Sequence, residues 1–138
     1  KGIKVDAGNN NSPSEIPYKH LFNSEFHLVI VVPGVDKKSN KYKVDISNFN
    51  RKYYNAKVLN VSNIFIDPTK QVIIVKKMKG YDEALDYYKS FKLNKDNLSD
   101  IHSKNYQFFL ISKENFVLFY KNKDIQGYIK FFEKNFEL

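Results

Sequence analysis

Residues 106–138, YQFFLISKENFVLFYKNKDIQGYIKFFEKNFEL, decide the expected fold. Two aromatic stretches, 106–112 and 116–120, flank a polar break and predict a pair of strands joined as a hairpin. The segment that follows repeats apolar residues at helical spacing, and Asn122 or Asp124 supplies an N-cap for it. The apolar face of this closing helix comprises Ile125, Tyr128, Ile129, Phe132 and Phe136.

Upstream of that hairpin, the hydrophobic pattern alternates between strands and helices. Residues 26–33 are apolar on both faces, as in a central strand, and residues 40–56 carry a helical stripe. Residues 59–66 and 71–77 are β-branched runs joined by a proline-containing turn, which predicts a second hairpin. A second helical stripe follows at 84–91, where acidic residues occupy the first turn.

The predicted order is strand, helix, strand, strand, helix, strand. Right-handed crossovers fold this order into an α+β, ferredoxin-like split βαβ (βαββαβ) with both helices on one face of an antiparallel sheet. The chain end adds a C-terminal strand and helix, which gives a sheet of four to five strands. We expect one compact domain at 22–138 and a flexible N-terminal arm or linker at 1–21, where an Asn-Asn-Asn-Ser run and two of the four prolines lie.

Composition argues against catalysis. The 138 residues contain no cysteine, which excludes disulfides, zinc-thiolate sites and cysteine nucleophiles. His20, His27 and His102 lack the spacing of a metal-binding pair, and the five glycines form neither a dinucleotide fingerprint nor a phosphate loop. No apolar run is long enough for a membrane helix. We therefore expect a protein that is not an enzyme and has no cofactor, metal or transmembrane segment.

The strands are apolar on both faces, whereas a sheet with helices on one side normally carries polar residues on the other. Something must cover the second face, because large exposed apolar patches usually mark interfaces. The sequence leaves two coverings open, the last helix or a docked partner. In the second case, the candidate partner-binding face comprises His27, Val29, Val31, Phe109 and Ile111.

The net charge of +8 and the aromatic content of 16% raise the alternative of nucleic-acid binding. An RNA-recognition module stacks bases on aromatic residues of its two middle strands. Here the segment 71–77 has no aromatic residue, and the first strand has only Phe26 at its start. The lysines are also dispersed, as in a solubilising surface. An RNA-binding ferredoxin-like domain is therefore the least favoured alternative.

Several short pieces of the chain together resemble a known family. The most specific are Phe49-Asn50, 108–112 with Asn115-Phe116, 119–121, and Tyr128 followed by 131–135. With these pieces, residues 22–138 resemble the C-terminal domain of the SprE/PorW-type tetratricopeptide-repeat proteins of Bacteroidota. The resemblance implies a periplasmic, outer-membrane-associated scaffold of the type IX secretion and gliding-motility machinery. It further implies protein partners from that complex, membrane association only through a parent lipoprotein, and no catalytic motif.

The predicted topology is also similar to that of sporulation-related repeat domains, which bind peptidoglycan through an open sheet face. A peptidoglycan-binding module in the same compartment is therefore an alternative to protein docking. The apolar second face suits glycan strands poorly, so we place protein docking first.

Overall fold

The computed structural model describes residues 16–138, in which a four-stranded sheet is combined with helices. The elements in chain order are β1 (Glu25–Pro33), α1 (Ser39–Tyr53), β2 (Asn60–Asp67), β3 (Lys70–Lys79), α2 (Tyr81–Leu93), α3 (Ser99–His102), β4 (Phe108–Ser112), α4 (Lys113–Asn122) and α5 (Ile125–Asn135). The strands lie in the order β2-β3-β1-β4, and all neighbours are antiparallel. This is the ferredoxin-like split βαβ arrangement, so the predicted fold class is confirmed.

Helices α1 and α2 cover the first face of the sheet. The apolar stripe of α1 inserts Tyr42, Ile46 and Phe49, all fully buried, because residues three and four apart share one side of a helix. From α2, the rings of Tyr88 and Phe91 each lie 5.3 Å from the ring of Phe108 on β4. These contacts fix both helices over the sheet.

The predicted fifth strand at 116–120 is wrong, since these residues lie within helix α4. The polar break is the start of this helix, where the Ser112 side chain accepts a hydrogen bond from the Asn115 N–H at 3.1 Å. Glu114 in the first turn complements the helix dipole. The buried residues of α4 are Asn115 and Phe119. Their spacing of four residues is that of a helix face and not the alternation of a strand. The part of the sheet formed by residues 16–138 therefore has four strands.

The turn between β2 and β3 is held against the end of β1. The Gly34 N–H donates to the Thr69 carbonyl at 2.8 Å, and a Cβ at Gly34 would lie 3.1 Å from backbone atoms of Pro68 and Thr69. Asp67 stabilises the same turn by accepting hydrogen bonds from the Thr69 N–H and hydroxyl. A side chain at 34 would force this backbone to shift, so glycine suits the position, and the hydrogen bond ties the β2–β3 turn to the end of β1.

Part of the predicted N-terminal arm packs against the C-terminal helices. The Tyr18 hydroxyl donates to the Asp124 carboxylate at 2.9 Å, and its ring lies 5.0 Å from that of Tyr128. The backbone of Lys19 exchanges two hydrogen bonds with the Asn115 side chain. The packed part of the chain thus includes Tyr18, upstream of the expected boundary at residue 22. The rest of the expected arm, 1–15, lies outside the described residues.

None of the helices within 16–138 is long and apolar enough to cross a membrane.

Candidate functional site

The second face of the sheet is covered by the chain's own C-terminal helices. The predicted partner-binding residues on that face are His27, Val29, Val31, Phe109 and Ile111. Val29, Phe109 and Ile111 are fully buried, His27 is buried and Val31 is half-buried. The ring of Phe109 lies 5.5 Å from Phe119 of α4 and 5.0 Å from Tyr128 of α5. Apart from the half-buried Val31, these residues belong to the packed interior and offer no exposed surface to a partner.

The three histidines lie in separate surroundings. His20 packs among Phe22, Tyr81 and Phe136, whereas His27 lies beneath α4. Burial and the nearby Lys76 lower the pKa of His27. Within residues 16–138, no group of three or more histidine, aspartate or glutamate side chains could hold a metal ion.

A cavity of about 450 Å³ lies between α2, α3, β4 and α5. Its aromatic lining is contributed by Tyr88, Phe91, Tyr106, Phe108 and Phe132. Nε2 of His102 is hydrogen-bonded at 2.8 Å to the Phe91 carbonyl, and burial lowers the pKa of this histidine. The lining contains one carboxylate, Glu133, and no serine or threonine. The residues around this cavity therefore supply neither a serine or threonine nucleophile nor a pair of carboxylate side chains.

One edge of the sheet, β4, is closed by α5. The Val31 N–H donates to the Gln107 carbonyl at 2.9 Å, which shows which residues of β1 direct their backbone groups towards β4. In an antiparallel pair, the backbone N–H and C=O groups of successive residues point alternately towards the partner strand and away from it. The backbone groups of Leu110 therefore point away from β1. Its carbonyl accepts a hydrogen bond at 2.7 Å from the hydroxyl of fully buried Tyr128. Helix α5 thus satisfies a backbone group that the edge strand would otherwise expose.

The same alternation determines which backbone groups of β2 face the rest of the sheet. The backbone groups of Val31 bond to β4, so they do not bond to Val72, the residue opposite on β3. The backbone groups of Val72 therefore point towards β2. Ile64 of β2 lies opposite Val72, so the backbone N–H and C=O of Ile64 point towards β3. The backbone groups of its neighbours, Asn63 and Phe65, must then point away from the sheet.

Within residues 16–138, the outer edge of β2 is open. Its outward backbone groups are the N–H and C=O of Val61, Asn63 and Phe65. Within residues 16–138 no strand pairs with this side of β2, and the Phe65 side chain is 51% exposed. The edge therefore presents three pairs of donors and acceptors to solvent.

This edge lacks the usual protection against pairing. Sheet edges are normally blunted by charged side chains, proline, bulges or a covering element. Residues 60–65, NVSNIF, contain neither a charge nor a proline. The register irregularity comes only at the far end, between Phe65 and Asp67. Six uncharged residues are thus available for pairing with a further strand.

A basic trough runs along α1 beside this edge. Two adjoining depressions of about 330 and 270 Å³ share Ser47 and Arg51 in their linings. Lys43 lines the larger one, and its Nζ donates to Asn63 Oδ1 of β2 at 2.6 Å. Arg51 donates to Asn48 Oδ1 at 2.8 Å. No acidic side chain lines either depression, so an anionic group would meet uncompensated positive charge there.

Asp36 fixes α1 at the start of this trough. Its carboxylate accepts hydrogen bonds from the Tyr42 hydroxyl at 2.8 Å and the Tyr106 hydroxyl at 2.5 Å. Burial opposes ionisation of Asp36, but the hydrogen bonds from Tyr106, the Lys38 N–H and Tyr42 hold its pKa below the usual value. Burial and the bond to Asp36 raise the pKa of Tyr106 to about 12. The helix is therefore held at its N-terminal end by a charged acceptor.

Comparison of the chain with family models, with curated proteins and with solved structures found no match.

The site predicted from the sequence lay on a face of the sheet, and the edge residues of β2 were not part of it. The signal was present, since the βαββαβ order puts β2 at the border of the sheet and its residues 60–65, NVSNIF, carry no charge.

Proposed function

We propose that this chain is a non-enzymatic docking domain that binds an extended segment of a partner protein as an added strand on the outer edge of β2. The open edge at Val61, Asn63 and Phe65 is the observation that carries the proposal. An added strand gains affinity from main-chain hydrogen bonds and specificity from alternate side chains. Docking thus moves from the predicted sheet face to the sheet edge.

The two alternative functions need an open sheet face. A glycan-binding module of the sporulation-related type and an RNA-recognition module both use residues of the middle strands. In β1, Phe26, Leu28, Val29 and Ile30 are at most 1% exposed, so this middle strand presents little surface. That burial supports edge docking over both alternatives.

For the cellular setting, we propose what the family resemblance implies. The partner would be a protein of a type IX secretion and gliding assembly, in the periplasm at the outer membrane. Sequencing of the coding region upstream of Lys1 tests this setting. A lipoprotein signal and helical repeats upstream would support it, and a coding region without them would contradict it.

Selection of extended peptides tests edge docking. Random twelve-residue peptides are displayed on phage, selected on the domain, and then measured against two variants of one edge residue. Asn63→Pro removes an outward N–H that takes no part in the β2–β3 ladder, whereas Asn63→Ala keeps it. Both variants lose the Asn63 side-chain contacts with Lys43 and Gln71, which makes them a matched pair.

Selected peptides should bind Asn63→Ala about as tightly as the original domain. They should bind Asn63→Pro at least about tenfold more weakly, since a backbone donor at the centre of the edge is lost. Circular dichroism checks that both variants are folded. Equal binding to the two variants, or selection of no peptide at all, would show that the edge is not the docking site.

A further inference from the structure

We infer that the segment bound by β2 is acidic, with aspartate or glutamate side chains that pair with Lys43 and Arg51. The inference rests on the proposed function and adds the chemical class of the partner. Three features lead to it: the direction in which side chains of an added strand point, the charge of the trough, and the cost of placing a second copy of this chain there.

The added strand would place every second side chain against α1. Asn63 is on the α1 side of β2, because Lys43 of α1 contacts it directly. Val61 and Phe65 share that side, since side chains two apart in a strand point the same way. Residues opposite one another in paired strands also share a face, and neighbouring strands lie about 4.8 Å apart. Alternate residues of the added strand would therefore lie over the trough.

The charge of the trough selects acidic side chains. Helix α1 carries four basic residues, Lys41, Lys43, Arg51 and Lys52, against one acidic residue, Asp45. Asp45 is paired with Lys41 at 2.6 Å, so it does not neutralise the trough. Within residues 16–138, neither Lys43 nor Arg51 forms a salt bridge, and their contacts are with asparagine side chains. Carboxylates on the added strand would supply the missing charge.

A second copy of this chain is a poor occupant of the edge. Antiparallel pairing of two β2 strands would place their α1 helices on the same side of the joined sheet, with both troughs close together. Lys43 and Arg51 of each copy would then face like charges, which opposes association. The trough therefore favours a partner of opposite charge over self-association.

Peptides that differ only in charge test the inference. Three fluorescein-labelled eight-residue peptides alternate valine with glutamate, glutamine or lysine, and their binding to the full chain is measured by fluorescence anisotropy. The glutamate peptide should bind at least about tenfold more tightly than the lysine peptide. The double variant Lys43→Glu with Arg51→Glu should reverse this order.

A matched control separates local charge from net charge. Lys89→Glu with Lys130→Glu changes two exposed lysines on other helices, α2 and α5, and alters the net charge by the same amount. This control should keep the preference for the glutamate peptide. A preference lost equally in both double variants would overturn the inference, because the whole charge of the chain would then explain it.

The remaining outcomes distinguish the inference from the function on which it rests. If all three peptides bind equally and Asn63→Pro weakens each of them, the edge docks peptides but the acidic partner is ruled out. If no peptide binds, or Asn63→Pro changes nothing, edge docking fails as well. Tighter binding of a twelve-nucleotide single-stranded DNA that ignores Asn63→Pro would assign the trough to nucleic acid. Dimerisation through β2 in sedimentation experiments would assign the edge to a second copy.

Discussion

His27 illustrates how an individual residue of the predicted docking face functions within the core. It is 5% exposed, and its ring lies 6.0 Å from Phe116 of α4. Burial and the positive charge of Lys76 lower the pKa of His27, because both disfavour the imidazolium. The folded protein therefore holds this histidine in its neutral form more strongly than the unfolded chain does.

This lowered pKa predicts a loss of stability in acid. The contribution of His27 is fully present above the pKa of the unfolded chain, about 6.5, and is lost as the pH falls through the folded-state value. We expect His27→Leu to show a smaller fall in the free energy of unfolding between pH 7.5 and 5.5 than the original chain, as measured by urea denaturation. His102 has a lowered pKa as well and contributes the same trend to both proteins. An unchanged pH dependence in the variant would contradict a neutral, buried His27.

The alternation of side chains on the predicted face was correct at this scale. His27 pairs with Ile111 and Val29 pairs with Phe109, so these residues do share one side of the sheet. Strand periodicity alone determines that much. What covers a face depends on where a later element packs, and the periodicity of the strand carries no information about it.

At the scale of elements, the C-terminal helices show where pattern reasoning reached its limit. The five residues FVLFY at 116–120 are compatible with a buried strand as well as with a helix, because short apolar runs fit both. The decisive feature is the capping serine before them, whose side chain accepts the Asn115 N–H. Helix α5 was expected from its longer periodic stripe, which runs over three turns.

The hydroxyl of Tyr128 predicts the contribution of α5 to stability. Tyr128→Phe keeps the ring but leaves the Leu110 carbonyl on the edge of β4 without its partner. We expect a loss of about 1–2 kcal/mol in the free energy of unfolding, measured in urea. Tyr120→Phe removes the same group from a tyrosine that is 43% exposed and should change stability by less than about 0.5 kcal/mol. Similar losses in both variants would show that the closed edge does not depend on this bond.

At the scale of the whole molecule, the two edges of one sheet differ in their protection. The β4 edge is closed by α5, and the β2 edge carries exposed backbone groups beside a basic helix. The net charge of +8 adds a general attraction for acidic partners, which salt would weaken. We therefore expect recognition to take place at the β2 edge of the domain.

The sequence allowed the fold class and strand order to be predicted, because hydrophobic periodicity and the right-handed crossover rule leave few topologies. The same order implied that β2 would be one edge of the sheet, whereas the other edge was expected at the fifth strand and lies at β4. The closure of the β4 edge could not be predicted, since it depends on the packing of Tyr128 against Leu110, which are 18 residues apart in sequence and meet only in the fold. The basic trough could not be predicted either, because it forms only where α1 lies beside β2 in the fold.

Amide hydrogen exchange, followed residue by residue with NMR, tests the open edge most directly. In the free protein, we expect fast exchange for the outward N–H groups of Val61, Asn63 and Phe65. The inward N–H groups of Ser62 and Ile64, which bond to β3, should exchange much more slowly. Equal protection of the two sets would mean that the outer edge of β2 is already covered, and it would contradict the docking function proposed for this chain.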